Sequence, residues 1–434
     1  MKSIKKLFLL LIIIGLVSAG VFYFRDTKPP HVSLTPGNGS ISNKSKLLLA
    51  LNDEGMGLKN LQVTVLQGTD KLPLLKRDFQ PQTNVADLEL DLSSLKLKEG
   101  AIQIEVLVTD QSVYHFGKGN STQEIYSLTY DSRPPVISIL SKAHNFTKGG
   151  SGLVTFNLNE PVEKVGVQFG EQFFPAYQQD SGSYACLLAY PYYTKESDFV
   201  PRIVAIDLAG NERQAGIYYR ANNKTFRQRK INISKSFLTQ KAPEFEALVP
   251  EAKDPLESFL YVNREIRNQN REQLAKLGQE TSPTPLWNGP FLRQPQTATL
   301  AQFADNRTYY YEGKVIDKKV HWGQDLASVA QAEIIAENSG KVIWAEYLGI
   351  YGQCVVIDHG LGLQSLYAHM SQINVQPGDM VSKGQVIGRS GATGMAGGDH
   401  LHLGILVSGV PVQPVEWWDK NWLENNIDSK LKPN

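Results

Sequence analysis

Eighteen consecutive uncharged residues, Leu7 to Phe24, constrain this chain before anything else does. As a helix they span about 27 Å, close to the hydrocarbon thickness of a bilayer. Lys2, Lys5 and Lys6 stand in front of the run. A cationic flank on that side keeps the N-terminus in the cytoplasm and sends the rest of the chain out. Residues 1–25 are therefore expected to be a signal anchor in the cytoplasmic membrane, with the remainder extracytoplasmic. Val17-Ser18-Ala19 offers the rival reading, a cleaved signal peptide, but the apolar run continues through Val21-Phe22-Tyr23-Phe24, which suits an anchor better. Net charge is +1, and without residues 1–25 there remain 40 basic against 43 acidic side chains, so no basic excess argues for nucleic acid.

Beyond the anchor the chain reads as duplicated. Lys28-Pro29-Pro30-His31-Val32 returns in kind as Arg133-Pro134-Pro135-Val136-Ile137. Each copy continues in short alternating runs, such as Leu61-Gln62-Val63-Thr64-Val65 and Val154-Thr155-Phe156-Asn157-Leu158, the pattern of half-buried strands. Each also has a strand that runs into an aspartate, Ile104 to Asp110 and Arg202 to Asp207. Two β-sandwiches are expected, over 28–131 and 132–222. The Asp207-Leu208-Ala209-Gly210-Asn211 ending resembles bacterial immunoglobulin-like repeats. Neither copy collects catalytic residue types, so a spacer role is expected, with ligand binding, protein partners through the sandwiches included, as the other option.

Residues 223–300 read as a connector with a helix over 255–277. Asp254-Pro255-Leu256-Glu257 supplies an N-cap, an N1 proline and an N3 glutamate, and Gly278 a stop. Arg264, Arg267 and Arg271 share a second face, expected to be solvated.

The chemistry concentrates in 301–434. Five of the eight histidines lie between His321 and His402. His321-Trp322-Gly323-Gln324-Asp325 spaces a histidine and a carboxylate four apart, and His400-Leu401-His402 spaces two histidines two apart. In a strand, positions i and i+2 point to one side, so His400 and His402 can face one cavity. Histidine and aspartate ligands with an open water position form the composition of a catalytic zinc site. Cys186 and Cys354 make no C-x-x-C or zinc-knuckle spacing, which excludes a cysteine metal site and a disulfide-stapled scaffold.

At these residues the chain resembles the lysostaphin-type zinc metallopeptidases, with their H-x-x-x-D and H-x-H signature. The resemblance extends in order through Val355 to Gly360, Leu366 to Met370, Val375 to Asp379, Gly384 to Gly388 and Ser390 to Gly394, about a quarter of the chain. It implies a mainly β, multidomain protein ending in a β-sheet metallopeptidase domain. It implies one Zn2+ per chain on His321, Asp325 and His402, with His369 and His400 orienting the attacking water and stabilising the oxyanion. The implied reaction is hydrolysis of peptide cross-links in peptidoglycan stems, at the cell envelope. The alternative is a non-catalytic wall-binding protein or amidase activator of the same fold.

Lesser features carry plainer expectations. His359 suits a structural position at a strand end. Tyr309-Tyr310-Tyr311 fits either a groove lining or a packed strand, and Asn306 and Arg307 are candidates for the groove wall. The glycine-rich stretch 391–398 would form a mobile rim. No H-E-x-x-H or G-x-S-x-G occurs, so a glutamate-based zincin and a nucleophile elbow are excluded. Pro377 to Gln385 also resembles a lipoyl carrier hairpin, but Lys383 does not stand at a hairpin tip.

Overall fold

A computed structural model of the chain describes residues 2–249, 251–252 and 254–431. The first element is a helix over Lys2–Tyr23. Its Ile4–Tyr23 stretch, with mean hydropathy 2.3, is long and apolar enough to cross a membrane, and none of it is buried against protein. With 43% strand against 19% helix, the protein is mainly β. It divides into two compact units. One holds residues up to Pro135 with Glu160–Glu163 and Ile206–Arg213; the other holds Val136–Asn159, Lys164–Ala205 and Gln214–Asn434.

In the first unit, strict alternation produces two sheets around one core. His31–Thr35, Leu47–Asn52 and Val85–Leu90 form a three-stranded sheet. Ser40–Ile41, Ser121–Tyr130, Gly100–Asp110, Leu58–Gln67 and Asp70–Asp78 form a five-stranded one. Alternate side chains along Leu47–Asn52 are buried, and Leu49, Val63, Ile104 and Val106 meet in the core.

The second β-region again has two sheets, of four strands each, one centred on Ser151–Leu158 and Tyr184–Ala189, the other on Val162–Phe169 and Arg202–Asp207. It packs directly against the C-terminal region. Its Phe156, Leu187 and Phe199 share a buried cluster with Leu363, Ile405, Trp417 and Leu423 from the C-terminal region. Ser151 N–H also donates to the buried Glu416 carboxylate at 3.0 Å.

The C-terminal region is built on an antiparallel sheet. Its strand order is Ala298–Ala301, Gln324–Ala327, Leu401–Val407, Leu363–Met370, Gln353–Gly360, Gly340–Tyr347, Met380–Val381, with Val410–Val412 also paired to Leu401–Val407. The three central strands are buried along nearly their whole length, the polar Asp358, Gln364, Ser365 and His369 included. Val355, Ile357, Tyr367 and Leu403 fill one layer. Val356, Leu366, Ala368 and Leu406 fill the other, against Phe245, Phe259, Val262 and Leu274.

The side chains packed against that second layer come from residues 223–300, so helices of this segment are one wall of the C-terminal core. Asp254 accepts from Leu256 N–H and Glu257 N–H and starts a helix at Pro255–Tyr261. It passes through a π turn at Val262–Ile266 into Arg267–Leu277. The arginine face is not simply solvated. Arg264 pairs with Asp317 at 3.2 Å and donates to the Ile316 carbonyl. Arg267 reaches the Met395 sulfur, and Arg271 lies 3.9 Å over the Trp322 ring while donating to the Val320 carbonyl.

Candidate metal centre

The register of three strands brings the predicted donors together. Asp325 on Gln324–Ala327 sits opposite His402 on Leu401–Val407, and His402 sits opposite Ala368 on Leu363–Met370. His400, two residues before His402, enters through an isolated bridge to Gly391. His321 arrives from the segment before Asp325, where Gly323 is required. A Cβ there would lie 2.7 Å from the His402 ring and 2.3 Å from the Leu403 carbonyl oxygen.

His321 Nε2, Asp325 Oδ1 and His402 Nδ1 lie 2.9, 3.0 and 2.9 Å from one another. The lone pairs and charge that these atoms present fit a cation. His321 Nδ1 donates to the Gln302 carbonyl (2.9 Å), so the neutral ring turns a lone pair on Nε2 inward. That lone pair meets an acceptor-only carboxylate oxygen and a second imidazole nitrogen. His402 Nε2 is buried without a partner among the described residues. A tetrahedral ion with bonds of about 2.0–2.1 Å holds its ligands about 3.3 Å apart, close to these separations. The residues therefore fit a metal of the zinc type.

Around this trio stand His369 and His400. His369 Nδ1 donates to the Thr393 carbonyl (2.8 Å), leaving Nε2 as the acceptor of the neutral ring. Its backbone φ is +63°, the left-handed region that non-glycine residues seldom occupy. His400 Nδ1 donates to the Gly398 carbonyl (2.9 Å), and its Nε2 lies 3.7 Å from Asp325 Oδ1. The His369 and His400 ring centres are 4.9 Å apart.

Environment separates the titrations of these groups. Burial alone would push the Asp325 carboxyl up, but the positive charge and N–H donors that His321, His400 and His402 present to it when protonated hold it well below the usual range. Burial, with the charges of His400 and His402, keeps His369 well below the usual imidazole value. Burial brings His402 down to about 4. For His400, burial is outweighed by the hydrogen bond and charge of Asp325, which raise it.

A residue placed only at the groove wall by its sequence turns out to hold Asp325 in place. Arg307 donates to Asp325 Oδ2 at 2.9 Å, so the guanidinium grips the oxygen that faces away from the trio. Arg307 and Tyr309 also line a cavity of about 360 Å³ with His321, Asp325, His402, His369 and His400. Phe237, Phe259 and Arg267 of the connector line it too, a role with no local sequence signal. His359 is elsewhere, buried between the Ser339 carbonyl and Ser365 Oγ. The 391–398 stretch is pinned more firmly than its glycines suggest. Lys241 donates to the Ala392 carbonyl, and Glu244 accepts from Gly394 N–H. Lys383 is engaged with the carbonyls of Asn288 and Pro290. Cys186 and Cys354 are buried and unpaired.

Residues 319–414, about a fifth of the chain, match the model described as Peptidase family M23. Over 97 residues it is 37% identical to "DD-carboxypeptidase/endopeptidase Mpg" of Neisseria meningitidis, covering 22% of each chain. Over 96 residues it is 38% identical to "Peptidoglycan DD-endopeptidase ShyA" of Vibrio cholerae, again 22% of each. Among solved structures, the catalytic domain of the peptidase lysostaphin from Staphylococcus simulans aligns at 26% identity, with a TM-score of 0.25. That alignment covers 28% of this chain and 92% of the other. The matched region thus spans about a quarter or less of the length of the first curated relatives.

Proposed function

We propose that the protein is a zinc-dependent endopeptidase that hydrolyses peptide cross-links of peptidoglycan, held at the outer face of the cytoplasmic membrane by its N-terminal helix. The observation that carries the reading is the convergence of His321 Nε2, Asp325 Oδ1 and His402 Nδ1, with the acceptor nitrogen of His369 in the same cavity. His321, Asp325 and His402 would hold the ion. When bound there, Zn2+ supplies Lewis acidity, polarising a scissile carbonyl and lowering the pKa of water toward neutrality.

The chain's own residues then divide the proton work. His369, kept neutral by its buried surroundings and by donating Nδ1–H to Thr393, accepts the proton of the attacking water at Nε2. His400, whose charged form is favoured by Asp325, donates toward the oxyanion that develops on the carbonyl, and the proton on His369 passes to the leaving amine. Asp325 stays ionised throughout, fixed by Arg307 on its other oxygen. The substrate class is supported by the peptidoglycan endopeptidase named among the relatives. The anchor reading rests on the exposed apolar helix.

The test is digestion of purified peptidoglycan by the full-length, zinc-loaded protein, with products read by mass spectrometry. Conversion of cross-linked dimers to monomers is expected. Intact dimers after exposure to fully metallated protein would leave the domain a non-catalytic member of its fold.

A further inference from the structure

The first β-domain contains a second cluster of ligand-type side chains, far in sequence from the histidines. Asp26, Asp53 and Asp110 each offer a carboxylate oxygen within 4.8 Å of the others. They are 4%, 2% and 0% exposed, so three carboxylates share one site largely shielded from water. Each comes from a different part of the domain. Asp26 lies just beyond the Lys2–Tyr23 helix, Asp53 just beyond the strand Leu47–Asn52, and Asp110 at the end of Gly100–Asp110.

The hydrogen bonds to this cluster come from neutral donors. Asp110 Oδ1 accepts from Ser112 N–H (3.0 Å) and Asn120 N–H (2.7 Å), and its Oδ2 from the Asn120 amide (2.7 Å). Asp26 Oδ2 accepts from Met56 N–H (2.6 Å). Asp53 Oδ2 accepts from Gly55 and Gly57 N–H (3.0 and 2.7 Å). Asp53 Oδ1 is buried and has no partner among the described residues. None of the salt bridges among the described residues reaches any of the three carboxylates.

We propose that Asp26, Asp53 and Asp110 bind a Ca2+ ion that ties the segment leaving the N-terminal helix to the first β-domain. Buried charges of one sign need a counter-charge, and an all-oxygen donor set selects a hard cation. Ligands on opposite sides of Ca2+ stand about 4.6–5.2 Å apart, given its bonds of about 2.3–2.6 Å, so carboxylates within 4.8 Å can share one ion. Mg2+ keeps several waters and is rarely held by a cage of protein carboxylates, which favours Ca2+.

The arrangement recurs in the second copy of the repeat. Asp131, Glu160 and Asp207 form the corresponding acidic group. Asp131 precedes Pro134 as Asp26 precedes Pro29, and Leu158-Asn159-Glu160 matches Leu51-Asn52-Asp53. Asp207 Oδ1 accepts from Ala209 and Asn211 N–H and its Oδ2 from the Asn211 amide, the pattern of Asp110 with Ser112 and Asn120. Simple turn-forming aspartates would not explain why all three positions are acidic in both copies.

The test uses the full-length protein in detergent, stripped with chelator and reloaded with zinc alone, so that the histidine site is constant. Equilibrium dialysis against Ca2+ and thermal melting are then compared for the wild type, Asp53→Asn and the exposed control Asp87→Asn. The wild type should bind Ca2+ in the range of about 10⁻⁴–10⁻³ M typical of extracellular modules, with a higher Tm. Asp53→Asn, which keeps an oxygen for the Gly55 and Gly57 amides, should bind one ion fewer, lose the Tm shift that this ion produces, and melt no lower than the wild type in chelator. Asp87→Asn should behave as the wild type, and Mg2+ at equal concentration should not reproduce the shift. No Ca2+ uptake, equal uptake by Asp53→Asn, an equal response to Mg2+, or a variant that melts lower in chelator would each overturn the assignment.

Discussion

Which nitrogen of each histidine is free decides the chemistry at the residue scale, and backbone carbonyls make that choice. Gln302 fixes His321 and Thr393 fixes His369, in both cases by accepting from Nδ1. Arg307 does the equivalent for the carboxylate ligand. Arg307→Ala should leave all three ligands present but lower zinc affinity by about 10–100-fold, as loss of a ligand-orienting partner typically does, measured by competition with a chromophoric chelator. Unchanged affinity would mean the pair is incidental. A second residue-scale prediction concerns Glu337, buried and accepting from Trp418 Nε1 (2.7 Å), whose carboxyl burial pushes up to about 8. The unfolded carboxyl has its ordinary value of 4.5. Between those values the folded state holds a proton that the unfolded state has released, so this group's contribution to stability falls as pH rises and levels off above about 8. Burial brings His359 down to about 4, so it acts in the opposite sense, adding stability as pH rises towards 6.5. The comparison with Glu337→Gln isolates the carboxyl. The variant should gain on the wild type by a few kcal/mol between pH 5 and 8 in denaturant titrations, and a pH-independent difference would contradict the assignment.

At the scale of elements, the connector helices do two jobs. They cover one face of the central sheet, and they shape the cavity over the histidines. Phe259 is fully buried against that sheet, so Phe259→Ala should destabilise the C-terminal region by about 3–5 kcal/mol in denaturant titrations. For the same reason, a chain beginning at Thr299 would lose part of its core and could not report on access to the site. A gentler change can. The helix Lys235–Glu246 holds the 391–398 rim through Lys241 and Glu244, while Met395 and Gly397 of that rim line the cavity with Phe237 and Phe259. If this wall restrains entry of a polymer, Glu244→Ala should digest peptidoglycan several-fold faster at equal zinc content. Equal or slower digestion would show that the helix supports the site without limiting it. The arginine stripe explains why the docking was illegible in the sequence: a charged helix face reads the same whether it meets water or, as Arg264 and Arg271 do, a carboxylate, an indole and backbone carbonyls.

Across the whole molecule, legibility followed range. The donor trio could be read because His321 and Asp325, and His400 and His402, are close in sequence and strand periodicity tells which side each faces. Arg307 could not, because its contact with Asp325 depends on how the strand Asn306–Tyr311 is placed beside the strand that carries the ligand. The alternation of the first β-domain showed its strands, whereas the core shared by the second β-region and the C-terminal sheet left no local trace. The N-terminal helix predicts that the full chain stays with membranes through salt and carbonate washes and is released by detergent; a mature protein starting near Gly20 and free in the wash would contradict the anchor. At the histidine site, the proposed division has three residues holding zinc while two other histidines move protons. Zinc stoichiometry measured beside turnover, for His402→Ala and His369→Ala in the full-length protein, tests it most directly. His402→Ala should lose both metal and activity. His369→Ala should keep one zinc per chain and lose about 10²–10⁴ in rate. Full zinc with near-normal turnover in His369→Ala would contradict the account.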